Sequence, residues 1–476
     1  MIDTFTIRCN ILHLAFSGKL TNQFKEDGTA KDILDLICEK KPIVSVEDGP
    51  YTLPESWAWI RLKDLYKINP KVIADNDTAA AFISMERISG GFDRAFTFEI
   101  QKWERAAKNH TRFEDGDVAF AKITPCFENR KSFIAHDLPN GIGGGTTELI
   151  ILRQKEMLPQ YTYYLVLDQR FISTGTASYK GVVGQQRVQS DVIKNYLVPV
   201  APYSEQKRII KKIEQVFSIL DTIEKLQAQY ADNLTALKSK LIDAAIQGKL
   251  TKQLPEDGTA EELYQHIQEE KQRLIKEGKI KKQKPLPEIS NNEMPFIIPE
   301  NWKWVRLSEL VLFENGDRSS EYPKERDYVN DGIPFFGAKD IIDSYLSFEN
   351  VRYISKEKFE QLSRGKLLDW DIICLLRGSV GKCAVFRSNE KYKTGFICAQ
   401  MVIIRCINKA IFHFLYTFLR SSFYIAAINK KTTGVAVSQL SAAELSRLII
   451  PLPPLAEQKR IVQKLEEILP LCEKKK

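Results

Sequence analysis

The sequence repeats itself after about half its length, and this duplication restricts the chain to folds built from two copies of one unit. Three blocks recur in the same order, and the first keeps the letters GKLT and EDGTA in both copies. The matched blocks are residues 15–34 with 245–264, 50–65 with 295–310, and 202–215 with 454–467. So long a period indicates duplication of a whole structural unit rather than a solenoid of short repeats. A chain of 476 residues also exceeds a single hydrophobic core.

The edges of the two copies match, but their interiors differ. Segments 66–201 and 311–453 are similar in length and share little sequence, which indicates one scaffold carrying two different surfaces. We therefore predict two variable domains between conserved helical segments. The predicted segments are a partial conserved helix and linker at 1–49, a first variable domain at 50–203, a central conserved helix and spacer at 204–294, a second variable domain at 295–453, and a partial conserved helix at 454–476.

The segment from Ser204 to Gln247 carries the strongest helical pattern. Its apolar residues recur every three or four positions, as in a coiled-coil seam surrounded by charge. These residues are Ile209, Ile213, Val216, Leu220, Ile223, Leu226, Tyr230, Leu234, Leu237 and Leu241. Ser204 is suited to the N-cap and Gly248 to the position after the last turn. At 1.5 Å per residue, such a helix would be about 65 Å long.

The two ends of the chain match the two parts of this helix. Thr4–Phe16 aligns with its second part and Pro454–Lys476 with its first, so a second long helix is divided between the termini. We predict that both pieces pack beside the central helix in a circular, pseudo-twofold repeat; frayed ends are the alternative. The apolar residues expected at these contacts are Ile7, Ile11 and Leu14 at the start and Ile461, Leu465 and Ile468 at the end.

The variable domains are predicted to be mixed α/β. Short apolar segments indicate strands, and each sheet is followed by a helical pattern. The predicted strands are Asp117–Lys122, Glu148–Arg153, Ile372–Leu376 and Gln400–Arg405, and the predicted helices are Gln160–Phe171 and Ala410–Ala427. The whole fold is thus two α/β domains separated by long antiparallel coiled-coil helices.

The composition excludes a wholly disordered or a fibrous protein. The proportions of hydrophobic (43%) and charged (27%) residues are those of a folded chain, and the net charge of +8 permits a polyanionic partner. Residues 271–284 hold seven basic residues and one acidic residue, so much of the excess lies in one insertion. The N-terminus lacks the pattern of a signal peptide, and the longest apolar run, Ile411–Leu419, is too short to cross a bilayer. We predict a cytoplasmic protein with no membrane partner.

No catalytic, metal or cofactor site is expected. Eight cysteines form no CxxC pair, and the five histidines have no cysteine partners at metal-ligand spacing. Gly378–Lys382 is too short for a GxxxxGK[ST] phosphate loop, and neither a glycine-rich cofactor fingerprint nor an Asn-Pro-Pro-Tyr or Asp-Pro-Pro-Tyr box is present.

The order of these blocks resembles the specificity subunit of type I restriction-modification enzymes, over essentially the entire chain. A variable domain, an SEQKRI helix start, a GKLT turn, a PExW start, a second variable domain and an AEQKRI helix follow one another. GDVAFAKITPCFENRKSF at 116–133 and RGSVGKCAVF at 377–386 resemble stretches of that family's target recognition domains, and PLPPLAEQKRI at 451–461 is among its most specific features.

The resemblance implies a non-catalytic, DNA-reading subunit. Each target recognition domain would read one half of a bipartite double-stranded DNA site, and the helices would set the spacing. Two methyltransferase subunits would bind the helices, and restriction subunits would join them. Two rivals stay open: a self-sufficient DNA enzyme, which would act without added subunits, and an interaction protein whose coiled coil is the functional part.

The candidate DNA contacts are basic residues and amide side chains suited to phosphates or base edges. They are Arg112, Lys122, Arg130, Lys131, Lys180, Gln185, Gln186 and Arg187 in the first domain, and Lys339, Arg377, Lys382, Lys430, Lys431, Ser438 and Gln439 in the second. The alternative for the lysines is an ordinary solvated surface. Gln185–Arg187 could instead be a structural loop leading into a strand, and Arg377 could shape a tight turn beside Gly378.

The helices supply candidates for methyltransferase docking. These are Lys207, Arg208, Lys211 and Lys238, for which a solvated helix face is the alternative. The paired tryptophans Trp57 and Trp59, repeated as Trp302 and Trp304, are interpreted as core residues rather than base-stacking groups.

Overall fold

The structure is a computed structural model that describes residues 1–37, 49–153, 156–182, 184–282, 286–342, 344–432 and 439–472, with backbone alone at 431 and 432. The chain divides into two compact units, unit 1 (Met1–Ala228) and unit 2 (Gln229–Lys476). The boundary falls inside one long helix. The finer division into five segments stays a prediction.

In unit 1, helices lie before, between and after the short strands along the sequence. Its helices are α1 (Thr4–Phe16), α2 (Ala30–Ile37), α3 (Leu62–Leu65), α4 (Trp103–Ala107), α5 (Pro159–Leu167), α6 (Gln169–Thr176), α7 (Ser190–Lys194) and the first part of α8 (Tyr203–Ile246). Its strands are β1 (Ala58–Arg61), β2 (Lys67–Ile68), β3 (Ala79–Ile83), β4 (Glu99–Lys102), β5 (Thr111–Glu114), β6 (Val118–Ala121), β7 (Ser132–Ile134), β8 (Ile142–Gly145), β9 (Leu149–Arg153) and β10 (Leu197–Val200).

Unit 2 continues from the second part of α8 and repeats this plan. Its further helices are α9 (Ala260–Lys276), α10 (Leu307–Leu310), α11 (Lys356–Gln361), α12 (Phe412–Phe418), α13 (Ser422–Thr432), α14 (Ala442–Ser446) and α15 (Leu455–Ile468). Its strands are β11 (Lys303–Arg306), β12 (Val311–Asn315), β13 (Tyr328–Val329), β14 (Ile333–Phe336), β15 (Ile341–Ile342), β16 (Tyr345–Leu346), β17 (Arg352–Ile354), β18 (Ile372–Leu375), β19 (Cys383–Val385), β20 (Phe396–Ile397), β21 (Met401–Cys406) and β22 (Ile449–Leu452).

The sheets of the two units correspond. Each unit contains a two-stranded antiparallel sheet, formed by β1 and β10 in unit 1 and by β11 and β22 in unit 2. A four-stranded sheet has the order β4-β3-β8-β5 in unit 1 and β13-β17-β14-β20 in unit 2. The remaining sheet is β2-β9-β6-β7 in unit 1 and is extended to β12-β21-β18-β19-β16-β15 in unit 2. The predicted mixed α/β class is confirmed.

The predicted elements agree with the structure to within a few residues, apart from two breaks. The long helix starts one residue early and ends one early, and Gly248 follows it with a φ of +70°. The predicted helix Gln160–Phe171 is two helices, because Asp168 adopts an extended backbone and its side chain accepts a hydrogen bond from the Arg170 amide. Its counterpart at 410–427 also breaks, where the Ser421 hydroxyl accepts from the amide of Tyr424.

The N-terminal helix packs on α8 in unit 1, as predicted, and the C-terminal helix shares a core with α8 in unit 2. In unit 1, α1 runs antiparallel to α8: Thr4 Oγ1 donates to Glu224 Oε1 at 2.6 Å, and Arg8 Nη2 contacts Asp221 Oδ1 at 2.6 Å. In unit 2, α15 shares a hydrophobic core with the end of α8.

The prediction for Leu14 is wrong, since 37% of its surface is exposed. The buried face of α1 instead includes Arg8, because its guanidinium pairs with Asp221 and Glu224.

The tryptophans lie in the cores, as predicted, although Trp304 is only half-buried. No single helix among the described residues is long and apolar enough to cross a membrane; one pair, Lys409–Phe418 and Ser422–Lys430, passes that test jointly but is bent by 72°.

Candidate nucleic-acid interface

A buried carboxylate fastens the variable part of unit 1 to the long helix. Glu205, in the first turn of α8, is fully buried. Its Oε2 accepts from Trp57 Nε1 at 2.8 Å, and its Oε1 accepts from Thr21 Oγ1 at 3.0 Å and Gln23 Nε2 at 2.7 Å. A carboxylate also suits the positive end of a helix. We call Glu205 and its three donors the joint of unit 1.

Unit 2 contains the same joint, built from the second copy of each sequence block. Glu457 is fully buried in the first turn of α15. It accepts from Trp302 Nε1 at 2.8 Å, Thr251 Oγ1 at 3.1 Å and Gln253 Nε2 at 2.8 Å. The repeated letters therefore encode a repeated hydrogen-bond network.

An arginine–aspartate clamp accompanies each joint. Arg208 Nη1 donates to Asp27 Oδ1 at 2.6 Å, and Arg460 Nη2 donates to Asp257 Oδ2 at 2.6 Å. These guanidinium hydrogen bonds hold the pKa of both aspartates below the usual range. Arg208, a predicted docking residue, is thus engaged inside unit 1.

A buried ion pair fixes the two central strands of each variable part. Asp117, before β6, accepts two hydrogen bonds of 2.6 Å from Arg153, at the end of β9. Asp371, before β18, accepts from Arg405 of β21 at 2.8 and 2.6 Å. Burial raises the pKa of Asp371, against the opposing effect of Arg405. Because these strands are antiparallel, the end of β6 and the start of β9 meet at the opposite edge.

That opposite edge, which we call the rim of unit 1, gathers several predicted DNA contacts. The Lys122 amide donates to Glu148 O at 2.8 Å, and Lys180 and Arg187 exchange backbone hydrogen bonds of 3.1 and 2.9 Å. Arg187 Nη2 and Nε contact the Glu148 carboxylate at 2.8 and 2.9 Å, which lowers the pKa of Glu148. Gln185 and Gln186 lie in the same hairpin between Lys180 and Arg187, with Gln185 exposed and Gln186 half-buried.

The other candidates of unit 1 are placed differently. Arg130 is 5% exposed, and it donates to Leu167 O at 3.0 Å and to Gln169 Oε1 at 2.6 Å. Its donors are therefore used inside the protein, and burial lowers its pKa. Lys131 Nζ donates to Met85 O at 2.7 Å. Arg112 is exposed on β5 and makes hydrogen bonds of 3.4 Å to backbone carbonyls.

Matching hydrogen bonds identify the rim of unit 2. The Leu376 amide donates to Gln400 O at 2.9 Å, as Lys122 does to Glu148, and the Leu440 amide donates to Leu376 O at 2.9 Å. An isolated bridge pairs Arg377 with Gln439, as one pairs Ile123 with Arg187. The resulting equivalences are Gln400 with Glu148, Gln439 with Arg187, and Arg377 with Ile123.

The rim of unit 2 surrounds an open concavity of about 490 Å³. It is lined by Arg318, Tyr322, Gly337, Ala338, Lys339, Arg352, Arg377, Cys398, Ala399 and Gln400. The structure therefore brings the predicted residues Lys339 and Arg377 together. Both side chains are exposed.

Sequence reasoning missed three residues of this concavity: Arg318, Arg352 and Gln400. Arg318 Nη2 donates to Ala399 O at 3.0 Å, and the Arg352 guanidinium lies 4.8 Å from the ring centroid of Tyr328. They lie on three separate segments, so only the strand pairing brings them together. Repeat matching offers no signal for them, because the interiors of the two copies do not align.

The remaining described candidates of unit 2 do not line this concavity, and two others lie outside the described part. Lys382 Nζ donates to Ile341 O at 3.0 Å, and Lys430 is exposed on α13. Gln439 is exposed beside Arg377. The Lys431 side chain and Ser438 lie outside the described residues.

The docking candidates on α8 have mixed surroundings. Lys211 is exposed, Lys238 is half-buried, and Lys207 Nζ lies 4.6 Å from the ring centroid of Tyr203. The middle of α8 also exposes part of its predicted apolar seam. The exposed fractions are 57% for Leu226, 58% for Tyr230 and 44% for Leu237.

These surfaces are suited to binding an extended anion. The rims combine cationic and amide side chains, the groups that contact phosphates and base edges. Within the described ranges, no three His, Cys, Asp or Glu residues are grouped so that they could hold a metal ion.

Comparisons with known proteins point the same way. Residues 54–229 and 299–475 match the family described as the type I restriction modification DNA specificity domain. The chain is 32% identical to the type I restriction enzyme EcoAI specificity subunit of Escherichia coli, and 30% identical to the EcoEI specificity subunit. Each match covers 98% of this chain and 89% of the relative.

Solved structures share the fold. A chain from a structure of a type I R-M system has a TM-score of 0.65 at 20% identity, covering 89% of this chain and 92% of that chain. The HsdS subunit from Thermoanaerobacter tengcongensis has a TM-score of 0.53 at 20% identity, with coverages of 90% and 92%.

Proposed function

Because the chain belongs to the type I restriction-modification specificity subunits, which recognise DNA sequence and are not themselves catalytic, we propose that unit 1 and unit 2 each read one half of a bipartite, interrupted site in double-stranded DNA. One observation carries this proposal: the same joint, centred on Glu205 and on Glu457, supports two rims whose side chains differ. A repeated support with different reading groups suits a site with two unlike halves.

The reading groups are assigned to the rims. In unit 1 they are Lys122, Lys180, Gln185, Gln186 and Arg187. In unit 2 they are Lys339, Arg377 and Gln439, and Lys382 and Lys430 are further candidates. Arg187 and the glutamines are suited to paired hydrogen bonds with guanine and adenine, whereas the lysines and Arg377 are assigned chiefly to phosphates. Arg112 and Lys131 are assigned to phosphate contacts beside the rim of unit 1.

The long helix is assigned the spacing of the two half-sites and the docking of two methyltransferase subunits, which restriction subunits then join. Three exposed apolar residues on α8, Leu226, Tyr230 and Leu237, support this assignment, since exposed apolar side chains on a helix favour a protein partner. Lys207, Lys211 and Lys238 would lie at the edge of such an interface. The complex is expected to work in the cytoplasm.

The experiment that tests the function is a binding measurement on the chain assembled with its methyltransferase subunits. The methylated motif is first mapped at base resolution in cells that carry this complex. Binding is then measured against duplexes with the intact motif, with one half scrambled, and with the spacer lengthened. We expect tight, salt-dependent binding to the intact motif alone. Equal binding to all three duplexes would exclude sequence recognition, and tolerance of the longer spacer would exclude the role of the helix in spacing.

A further inference from the structure

The rims can be aligned residue by residue through their hydrogen bonds. The Leu149 amide donates to Thr146 O at 3.2 Å, and the Met401 amide donates to Cys398 O at 3.1 Å. Both bonds lie at the start of equivalent strands, β9 and β21. Thr146 and Cys398 are therefore equivalent, and so are the residues before them, Gly145 and Ile397.

This alignment extends across the four-stranded sheets. Gly145 pairs in parallel with Ile83 of β3, and Ile397 pairs in parallel with Phe336 of β14. Ile83 and Phe336 thus occupy the same position. One residue earlier, Phe82 is opposite Glu99 of β4.

The corresponding residue in unit 2, Phe335, is opposite Arg352 of β17. Glu99 is therefore the counterpart of Arg352. Each of the strands β3 and β14 is also followed by a short 3₁₀ helix, Met85–Arg87 in unit 1 and Ala338–Asp340 in unit 2. The middle residues of these two helices are Glu86 and Lys339.

The charges at these four equivalent positions differ: two are reversed, one carboxylate is replaced by an amide, and one apolar residue is replaced by an arginine. Unit 1 has Glu86, Glu99, Glu148 and Ile123 where unit 2 has Lys339, Arg352, Gln400 and Arg377. The four positions thus change from three acidic groups to three basic ones. The sequence does not reveal these differences, because the segments share too little identity to be aligned without the strand pairing.

The charges are also balanced differently. In unit 1, Glu99 pairs with Arg87, and Glu148 pairs with Arg187. In unit 2, Lys339, Arg352 and Arg377 form no ion pair with any residue of the described ranges, and neither does Arg318. Asp340, next to Lys339 in sequence, is buried and accepts from the Gly337 amide at 2.7 Å.

A group of unpaired cations around one concavity carries a cost in the free protein, since like charges repel one another. A bound polyanion removes this cost. Binding also releases counterions that had condensed on the polyanion. Each phosphate contact therefore makes the binding constant fall more steeply as the salt concentration rises. An open concavity of about 490 Å³ gives a phosphate backbone access to all four side chains.

We propose that the concavity of Arg318, Lys339, Arg352 and Arg377 is the principal phosphate-binding surface of the chain, and that the equivalent rim of unit 1 binds no phosphates at these positions. Unit 2 then supplies the larger share of the salt-dependent affinity for DNA. This inference rests on the proposed function, because it assumes that both rims face DNA.

The test compares variants of the full chain assembled with its methyltransferase subunits. The first variant combines Lys339→Ala, Arg352→Ala and Arg377→Ala. The second combines Glu86→Ala and Glu99→Ala in unit 1.

A control removes the same charge elsewhere in unit 2, by changing three exposed lysines to alanine. They are Lys249, Lys252 and Lys393. The measured quantity is the slope of log K against log salt for a labelled mixed-sequence DNA duplex, which reports phosphate contacts without sequence recognition.

We expect the first variant to lose about 0.9 in slope for each phosphate contact removed. The unit 1 variant should keep the original slope or steepen it, and the lysine control should not change it. The inference is overturned if the first variant keeps the original slope, or if either of the other two flattens it as much. A near-UV circular dichroism spectrum shows whether each variant is folded; a misfolded triple variant is replaced by the single variants, for which a loss of about 0.9 each is expected.

The base-resolution methylation map separates this inference from the proposed function. If the unaltered complex methylates a bipartite motif while the slopes do not differ, only the inference fails. If the unaltered complex shows no sequence preference, the proposed function fails whatever the slopes are.

Discussion

The joints of the two units are alike, whereas equivalent positions at and beside their rims differ in charge. Glu205 and Glu457 accept the same three types of donor at distances that agree within about 0.1 Å. At the rims, Glu99 in unit 1 corresponds to Arg352 in unit 2. The comparison teaches that the repeated blocks of sequence encode the attachment of each variable part to its helices, and the divergent segments encode what each part contacts.

The physical reason lies in burial. If a joint loses its carboxylate or a buried donor, the remaining polar group is left unsatisfied. The residues of a joint can therefore change only together. An exposed rim residue such as Lys339 changes without such a penalty. One scaffold can therefore carry unlike surfaces.

Removing a joint carboxylate should have the largest effect. Glu205→Ala removes the acceptor of the buried Trp57 indole N–H and of two further donors, Thr21 and Gln23. Hydrogen bonds to a charged group contribute about 1.5–3 kcal/mol each, so we expect a loss of about 3–5 kcal/mol in the free energy of unfolding of unit 1. Glu457→Ala should destabilise unit 2 by a similar amount. Hydrogen exchange on the full chain resolves the two units, with Glu104→Ala, an exposed glutamate in the first turn of α4, as control. A loss confined to one of the two variants would break the equivalence of the joints.

The rims should give smaller effects, each confined to one half of the site. Arg187→Ala and Gln439→Ala change equivalent positions, and each should reduce discrimination at one base pair by about 1–3 kcal/mol, or roughly 5- to 150-fold. The measurement is the binding of each assembled complex to duplexes substituted base by base. If both variants relaxed the same half-site, the division between the units would be wrong.

The clamps should give the smallest effect, present near neutral pH and lost in acid. The pKa values of Asp27 and Asp257 lie below the ordinary 3.8 because Arg208 and Arg460 donate to the carboxylates. Their stabilisation is present above that pH and is lost as the pH falls through the lowered pKa values. Asp27→Asn and Asp257→Asn should each flatten the acid limb of the unfolding curve. A pH profile unchanged by both variants would contradict the clamp.

Much of the fold could be predicted, since its signals are local or repeated. The bounds of α8 follow from heptad spacing and the glycine after it, and the central strands from short apolar runs. The break at Asp168 could not be predicted, because a capping hydrogen bond interrupts an otherwise helical pattern. The burial of Arg8 could not be predicted either, since it depends on acidic partners more than 200 residues away.

The candidate site was predictable only in part. Lys339 and Arg377 were predicted as basic residues suited to phosphates or base edges, and the structure brings them together. Arg318 and Arg352 were missed, because their place at the same concavity depends on strand pairings between distant segments. The buried role of Glu205 was also missed, because a glutamate in a first turn is ordinarily interpreted as interacting with the helix dipole.

The central claim is that each unit reads its own half-site, and exchanging one variable segment tests it most directly. Residues 66–201 are replaced by the corresponding segment of the Escherichia coli EcoAI specificity subunit, and the methylated motif is mapped at base resolution in cells carrying the chimera and the methyltransferase subunits. The account predicts that one half of the motif changes while the other half and the spacer are kept. A motif altered in both halves, or in neither, would contradict it.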